Sequence, residues 1–159
     1  MVAVGRGLGR RPDRGETDAM FTHIDHVGIA VPDLDEALKF YAENFDLRSV
    51  HEEVNEEQGV REAMLAVGDS GSCIQLLAPL SPESTIAKFI DRNGPGMQQM
   101  AYRVENIDEV CATLRERGIR LLYEQPKHGT SNSRVNFIHP KDAGGVLVEL
   151  VEPAADAAH

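Results

Sequence analysis

The chain carries a segment that returns once, altered but in register. His26-Val-Gly-Ile-Ala-Val-Pro-Asp-Leu-Asp-Glu36 stands 73 residues before Gln99-Met-Ala-Tyr-Arg-Val-Glu-Asn-Ile-Asp-Glu109, with Val31/Val104, Leu34/Ile107, Asp35/Asp108 and Glu36/Glu109 coinciding. Further on, Ile74-Gln-Leu-Leu-Ala-Pro79 matches Val148-Glu-Leu-Val-Glu-Pro153 at an offset of 74. A change of one residue between the two matches is what a single loop insertion leaves behind. Self-similarity at this period makes each half one supersecondary unit, and the two units must share a buried face.

Both halves read alike. An alternating strand opens each, His26 to Val31 or Gln99 to Val104, and a capping box follows, Asp33 with Glu36 and Asn106 with Glu109. Apolar residues then recur at helical spacing: Leu34, Ala37, Leu38, Tyr41 and Phe45 in the first half, Ile107, Val110, Cys111 and Leu114 in the second, where Gly118 is placed to end the helix. Short strand-like runs come next, Glu62 to Val67 and Cys73 to Leu77, then Arg120 to Tyr123, Arg134 to His139 and Val146 to Val151. Turn residues separate them, as in Gly68-Asp-Ser-Gly71 and Pro140-Lys-Asp-Ala-Gly-Gly145. Between the halves, Ser81 can cap and Pro82 can open a connecting helix that stops at Gly94.

The pattern predicts an α+β fold: two paired βαβββ modules, about 21–80 and 96–153, forming one curved mixed sheet in a single domain over 21–153. A chain of 159 residues can bury such a core unaided. Residues 1–20, rich in Gly and Arg and without an apolar stretch, are expected to be a disordered leader, or to precede a fold beginning near Met20; residues 154–159 are expected to be a tail.

Four polar residues interrupt the apolar pattern at duplicated places. His26 shares a strand face with Gly28 and Ala30, and its counterpart Gln99 lies beside Ala101 and Arg103; Gln75 stands between Cys73 and Leu77, and its counterpart Glu149 between Leu147 and Val151. Each alone reads more readily as a satisfied core residue than as a ligand, or, for Glu149, as a solvent-facing one. Buried polar groups need partners, and four at duplicated positions point to one shared partner, most simply a divalent cation. One imidazole, two amides and one carboxylate suit an octahedral ion with open positions, Co, Ni, Mn or Zn, better than a closed tetrahedral zinc site.

A net charge of -10 argues against nucleic acid as a partner, which needs a basic face. An anionic ligand would need a local basic patch. The polar run Lys127 to Arg134 reads first as a solvated loop. No stretch is apolar enough to span a bilayer, and Cys73 and Cys111, in no metal-type spacing, suit a reducing compartment; a cytoplasmic protein is expected.

His23-Ile-Asp-His-Val-Gly-Ile-Ala-Val31 resembles the first strand of the vicinal-oxygen-chelate (glyoxalase/bleomycin-resistance/dioxygenase) superfamily, whose paired modules hold a metal in a concave sheet. Two longer segments, Val54-Asn-Glu-Glu-Gln-Gly-Val-Arg-Glu-Ala-Met-Leu65 and Ser133-Arg-Val-Asn-Phe-Ile-His-Pro-Lys-Asp-Ala-Gly-Gly-Val-Leu-Val-Glu-Leu150, resemble those of methylmalonyl-CoA epimerases; the likeness runs from Phe21 to Pro153. It implies metal-dependent interconversion of (2R)- and (2S)-methylmalonyl-CoA through a metal-stabilised enolate, in a homodimer. The family's metal ligands fall on His26, Gln75 and Glu149, and its catalytic base on Glu62. The remaining ligand is usually the second His of a His-His pair; here the pair is Gln98-Gln99, so a weaker amide donor, Gln99, replaces an imidazole.

The chemistry suits these residues. C2 of the substrate lies between a thioester carbonyl and a carboxylate, and a cation holding one oxygen of each stabilises the charge that develops when the proton leaves. A positioned carboxylate base contributes roughly 10²–10⁴-fold. Burial in an apolar strand would raise the pKa of Glu62 and strengthen it; the plainer reading is a surface Glu paired with Arg61. A second proton carrier is needed on the opposite face, and Glu149 is the candidate, doubling as ligand, with a bound water or another residue as the alternative. Two other readings stay open: a glyoxalase I-type lyase acting on a glutathione thiohemiacetal, and a metal-free small-molecule-binding protein of the resistance type, which the Gln98-Gln99 pair favours.

Overall fold

The computed structural model describes residues 19–155. The elements run β1 (His23–Ala30), α1 (Leu34–Phe45), β2 (Ser49–Asn55), β3 (Val60–Ala66), β4 (Cys73–Pro79), α2 (Thr85–Asn93), β5 (Gly96–Arg103), α3 (Ile107–Glu116), β6 (Lys127–His128), β7 (Arg134–Ile138) and β8 (Val148–Glu152). Strand gives way to helix in both halves for the same reason. Asp33 accepts the Glu36 backbone N–H at 3.0 Å and Asn106 accepts that of Glu109 at 3.1 Å, so one otherwise orphaned donor of each first turn is satisfied. Helix α3 ends as its Gly demands, with Gly118 at φ 78.

All eight strands form one sheet in the order β2-β3-β4-β1-β5-β8-β7-β6. β1 runs parallel to β4 and β5 parallel to β8; the two modules meet at the antiparallel β1–β5 seam. The register repeats as well: Gly28 faces Gln75 across β1–β4, and Ala101 faces Glu149 across β5–β8. The expected pair of βαβββ modules is therefore present, with α2 as the connection.

Each module buries its own helix. Leu34 on α1 packs with Val31, Ala63, Leu65, Leu76 and Ala78. Ile107, Val110, Cys111 and Leu114 on α3 pack with Val104, Ile138, Val148 and Leu150. The opposite sheet face lines a cavity of about 1160 Å³, closed at one end where Ile86 of α2 meets Ala30, Val60 and Leu77.

The structure departs from the sequence reading in four places. Arg120 to Tyr123 is not a ladder strand: only Leu121 bridges to Ile138, and the paired strand is the two-residue β6. Buried Asn136 takes over the pinning of that segment, accepting from Tyr123 N at 3.1 Å and donating to Tyr123 O at 3.0 Å. The edge strand β2 went unread because its sequence, SVHEEVN, is polar in the manner of solvated edges. α2 is capped by Ser84, which accepts from Ala87 N at 3.1 Å, and not by Ser81, whose carbonyl instead closes a turn onto Ser84 N at 3.2 Å. Phe45 is 57% exposed and stacks edge-on with Phe40 and Tyr41 outside the core. Met20 and Phe21 pack on the second module, Phe21 stacking on Tyr102 at 4.5 Å; the rest of the expected leader before Ala19, and the tail beyond residue 155, lie outside the described residues. Among the described residues no helix is long and apolar enough to cross a membrane.

Candidate active site

The seam between the modules is irregular in two places, and both matter. Pairing along β1–β5 jumps between Ile24 and His26, leaving Asp25 as an extra residue, and between Gly28 and Ile29, leaving Gln98 as an extra residue on β5. Bulges bend a strand and re-aim its side chains, and they gather near active sites. Here each extra residue joins the next one on the cavity side: Asp25 with His26, and Gln98 with Gln99. The two bulges are 73 residues apart, so they belong to the repeat.

His26 is 3% exposed. Its Nδ1 meets Asp25 Oδ2 at 2.7 Å, and Arg103 donates to Asp25 Oδ1 from Nε at 3.1 Å and from Nη2 at 2.8 Å. Burial alone would raise the Asp25 pKa, but bonding to His26 and the charges of His26 and Arg103 hold it down at about 2. With Nδ1 engaged, Nε2 faces the cavity, 3.2 Å from Glu149 Oε1. Burial disfavours the charged ring, yet the charge of Glu149 and the bonds to Asp25 and Glu149 outweigh it and lift the pKa to about 10.

Gln75, Gln99 and Glu149 complete the group. Gln99 Nε2 donates to Gln75 Oε1 at 3.2 Å and to Glu149 Oε2 at 3.1 Å, and lies 3.3 Å from His26 Nε2. All four residues are buried. Only glycine at position 28 lets Gln99 cross β1, since a Cβ there would stand 2.5 Å from Gln99 Cγ. The four residues singled out from the repeat thus converge on one point, drawn from β1, β4, β5 and β8.

These side chains fit a cation. Two nitrogens, His26 Nε2 and Gln99 Nε2, face each other at 3.3 Å and both reach Glu149. Turned end for end, the Gln99 amide presents its oxygen to the same point; which end faces inward is decided by the network. Coordination through His26 needs the neutral ring, so ion uptake is coupled to loss of its proton. Among the described residues no group of three or more His, Cys, Asp and Glu could hold a metal. The set has only two such residues, so an ion here would sit in an amide-rich shell.

Glu62 adjoins this group. It is 3% exposed on β3, so it is neither at the surface nor paired with Arg61, which reaches Asp35 at 3.0 Å instead. Its Oε2 accepts from Gln75 Nε2 at 3.0 Å and its Oε1 from the Thr130 hydroxyl. Burial raises the carboxyl pKa; the Thr130 bond lowers it and the charges of Glu53 and Glu149 raise it further, to about 7. A base near 7 is matched to neutral operation.

Two participants escaped the sequence reading. Asp25 left one trace, a second consecutive polar residue where strand alternation calls for an outward side chain. Thr130 left none, because the loop that had read as solvated is shaped by backbone at Ser131 and Asn132, both at positive φ.

The comparisons agree with the geometry. The family model of the Glyoxalase/Bleomycin resistance protein/Dioxygenase superfamily matches residues 25–137. The mitochondrial methylmalonyl-CoA epimerase of Homo sapiens is 41% identical over 129 residues, 80% of this chain and 72% of that protein. The crystal structure of methylmalonyl-CoA epimerase from Mycobacterium tuberculosis superposes with a TM-score of 0.84 at 56% identity, covering 89% of this chain and 94% of that one. A methylmalonyl-CoA epimerase in complex with methylmalonyl-CoA and NH4+ gives a TM-score of 0.83 at 43% identity, over 87% of this chain and 99% of that one. The chain therefore belongs to the glyoxalase/bleomycin resistance protein/dioxygenase superfamily and, within it, to the methylmalonyl-CoA epimerases.

Proposed function

We propose that this protein interconverts the C2 epimers of methylmalonyl-CoA by moving a proton at C2, with Glu62 as the base. The observation that carries the reading is a buried carboxylate with its pKa lifted to about 7, bonded to Gln75 and so directly beside the convergent His26, Gln75, Gln99 and Glu149. A carboxylate shielded from water accepts a carbon-bound proton more readily than an exposed one.

His26, Gln75, Gln99 and Glu149 would hold a divalent ion, Co, Ni, Mn or Zn. When bound, it supplies Lewis acidity to the thioester and carboxylate oxygens of the substrate. The other steps fall to the chain itself. Glu62 takes the C2 proton from one face. Glu149 is the candidate carrier for the other: the two carboxylates terminate one amide chain, Glu62 at Gln75 Nε2 and Glu149 at Gln99 Nε2, and they come from opposite modules. Asp25 holds the ring of His26, and the sheet and α2 screen the site from bulk water.

The test is proton NMR of methylmalonyl-CoA in D₂O with purified protein. Loss of the C2 proton signal with wild type, slowed about 10²–10⁴-fold in Glu62→Gln, supports the reading. Turnover of glutathione hemithioacetals alone would reassign the protein as a lyase of the glyoxalase type, and binding without turnover as a sequestering protein. A homodimer working in the cytoplasm is part of the same proposal, supported by the family resemblance. Sedimentation at the mass of one chain would remove the dimer.

A further inference from the structure

We propose that Thr130 is a positioning residue for Glu62, so that a loop of the second module sets the aim of a base supplied by the first; this rests on Glu62 acting as the base. A carboxylate held at one oxygen can still rotate about its own axis. Glu62 is held at both: Gln75 Nε2 donates to Oε2 at 3.0 Å, and Thr130 Oγ1 donates to Oε1. Thr130 Oγ1 in turn accepts from Gln75 Nε2 at 3.2 Å, closing a three-membered network whose members come from β3, β4 and the segment before β7. The hydroxyl has one proton and gives it to Glu62, which fixes the plane of the carboxylate and leaves its outward lone pair to the cavity.

The loop around Thr130 is braced to deliver that hydroxyl. Ser131 N donates to Glu53 Oε1 at 2.8 Å, and Glu53 lies on β2 directly opposite Glu62 in the β2–β3 ladder. Behind Thr130, Gly129 N donates to Ser133 O at 2.9 Å and Ser133 N to Thr130 O at 3.1 Å. Gly129 is pressed so closely to β7 that a Cβ would stand 2.6 Å from Val135 Cγ1. Ser131 and Asn132 hold φ values of 55 and 59, a backbone that non-glycine residues keep only where their surroundings over-determine it. These contacts converge on one outcome: the position of a single oxygen beside the base.

A displaced base loses rate and not affinity, because a misplacement of about 1 Å can cost about 10²-fold. Thr130→Val keeps the shape and removes the donor. The expected result is a fall in kcat of about 10- to 100-fold with KM within about threefold of wild type, and Thr130→Ser restores kcat to within about threefold. The two substitutions combined add a further control. On a Glu62→Gln background, Thr130→Val should cause no additional loss, since a residue acting only through the base has nothing left to act on. Wild-type kcat in Thr130→Val, a change in KM alone, or a full additional loss on the Glu62→Gln background would each overturn the proposal. If Thr130→Val does not fold, Thr130→Ala against Thr130→Ser carries the same comparison. An inactive wild type, or an active Glu62→Gln, would remove the underlying reading instead; an inactive Glu62→Gln beside an unimpaired Thr130→Val removes this inference alone.

Discussion

At equivalent places the two modules present very different chemistry to one cavity. The first offers Asp25-His26 at its bulge, Gln75 on its last strand and Glu62 on the strand before; the second offers Gln98-Gln99, Glu149 and Val135. The last equivalence follows from register: Glu62 faces Leu77 as Val135 faces Val151, and Leu77 and Val151 are 74 residues apart. Gly28 and Ala101 form a similar pair, and only the first must be bare, since only Gln99 crosses above it. Strand order, capping and even bulges are held in common, because they are conditions for closing the sheet. The reactive groups are not, because a single site needs each of them once. With Glu62 as the proposed base, a valine at its mirror position means the proton carrier for the opposite substrate face is not a second copy of Glu62. That strengthens the case for Glu149.

The largest test of this asymmetry is Glu62→Gln, expected to lower kcat by about 10²–10⁴-fold. Retained exchange at C2 would place the base elsewhere. The same substitution should stabilise the fold. Because the folded pKa of about 7 lies above the carboxyl's ordinary value of 4.5, the native state holds the Glu62 proton more tightly, and stability is lost as pH rises from about 4.5 to 7. Glu62→Gln removes that penalty, so urea melts should show a gain of about 1–3 kcal/mol at pH 8 and little difference near pH 4. Over the same range, kcat/KM for the wild type should climb about tenfold per unit below pH 7 and level off above it, as Glu62 loses its proton.

Asp25→Asn strikes the buttress that only the first module has. It should weaken Co²⁺ or Mn²⁺ binding by about 10- to 100-fold in calorimetry, as loss of a carboxylate behind a ligating imidazole commonly does. An unchanged affinity would mean that His26 keeps its orientation without Asp25. Smaller still, Gln99→His would make the second bulge resemble the first, and Ni²⁺ or Co²⁺ affinity should rise by about tenfold as imidazole replaces amide. No change would show that position 99 lies outside the shell.

Much of this was legible in the residues. The 73-residue repeat exposes the module plan, and His26, Gln75, Gln99 and Glu149 stand out because polar residues recur where a core face should be apolar. Glu62 was another matter. Nothing in its local pattern separates a buried base from an edge residue beside Arg61, and only the longer family segment marked it. Asp25 and Thr130 depend on backbone events, an extra residue in a ladder and two left-handed residues in a loop; the first shows only as a break in alternation, and no composition or periodicity reports the second. Ser84 displaced Ser81 as the cap of α2 because both are good caps and the intervening turn decides between them.

The paired bulges act on the sheet much as a frameshift acts on a message. Ahead of Asp25, Ile24 belongs with Tyr102 on the helix side; after it, His26 belongs with Ala101 on the cavity side, so one added residue exchanges the inside and outside of the strand. A chain shortened by that residue would return the strand to plain alternation and keep His26 on the cavity side and nearly all of its likeness to relatives, yet leave the imidazole without the carboxylate at its Nδ1. In a protein of this build, a gap of a single position at the seam says more about whether chemistry survives than many substitutions elsewhere.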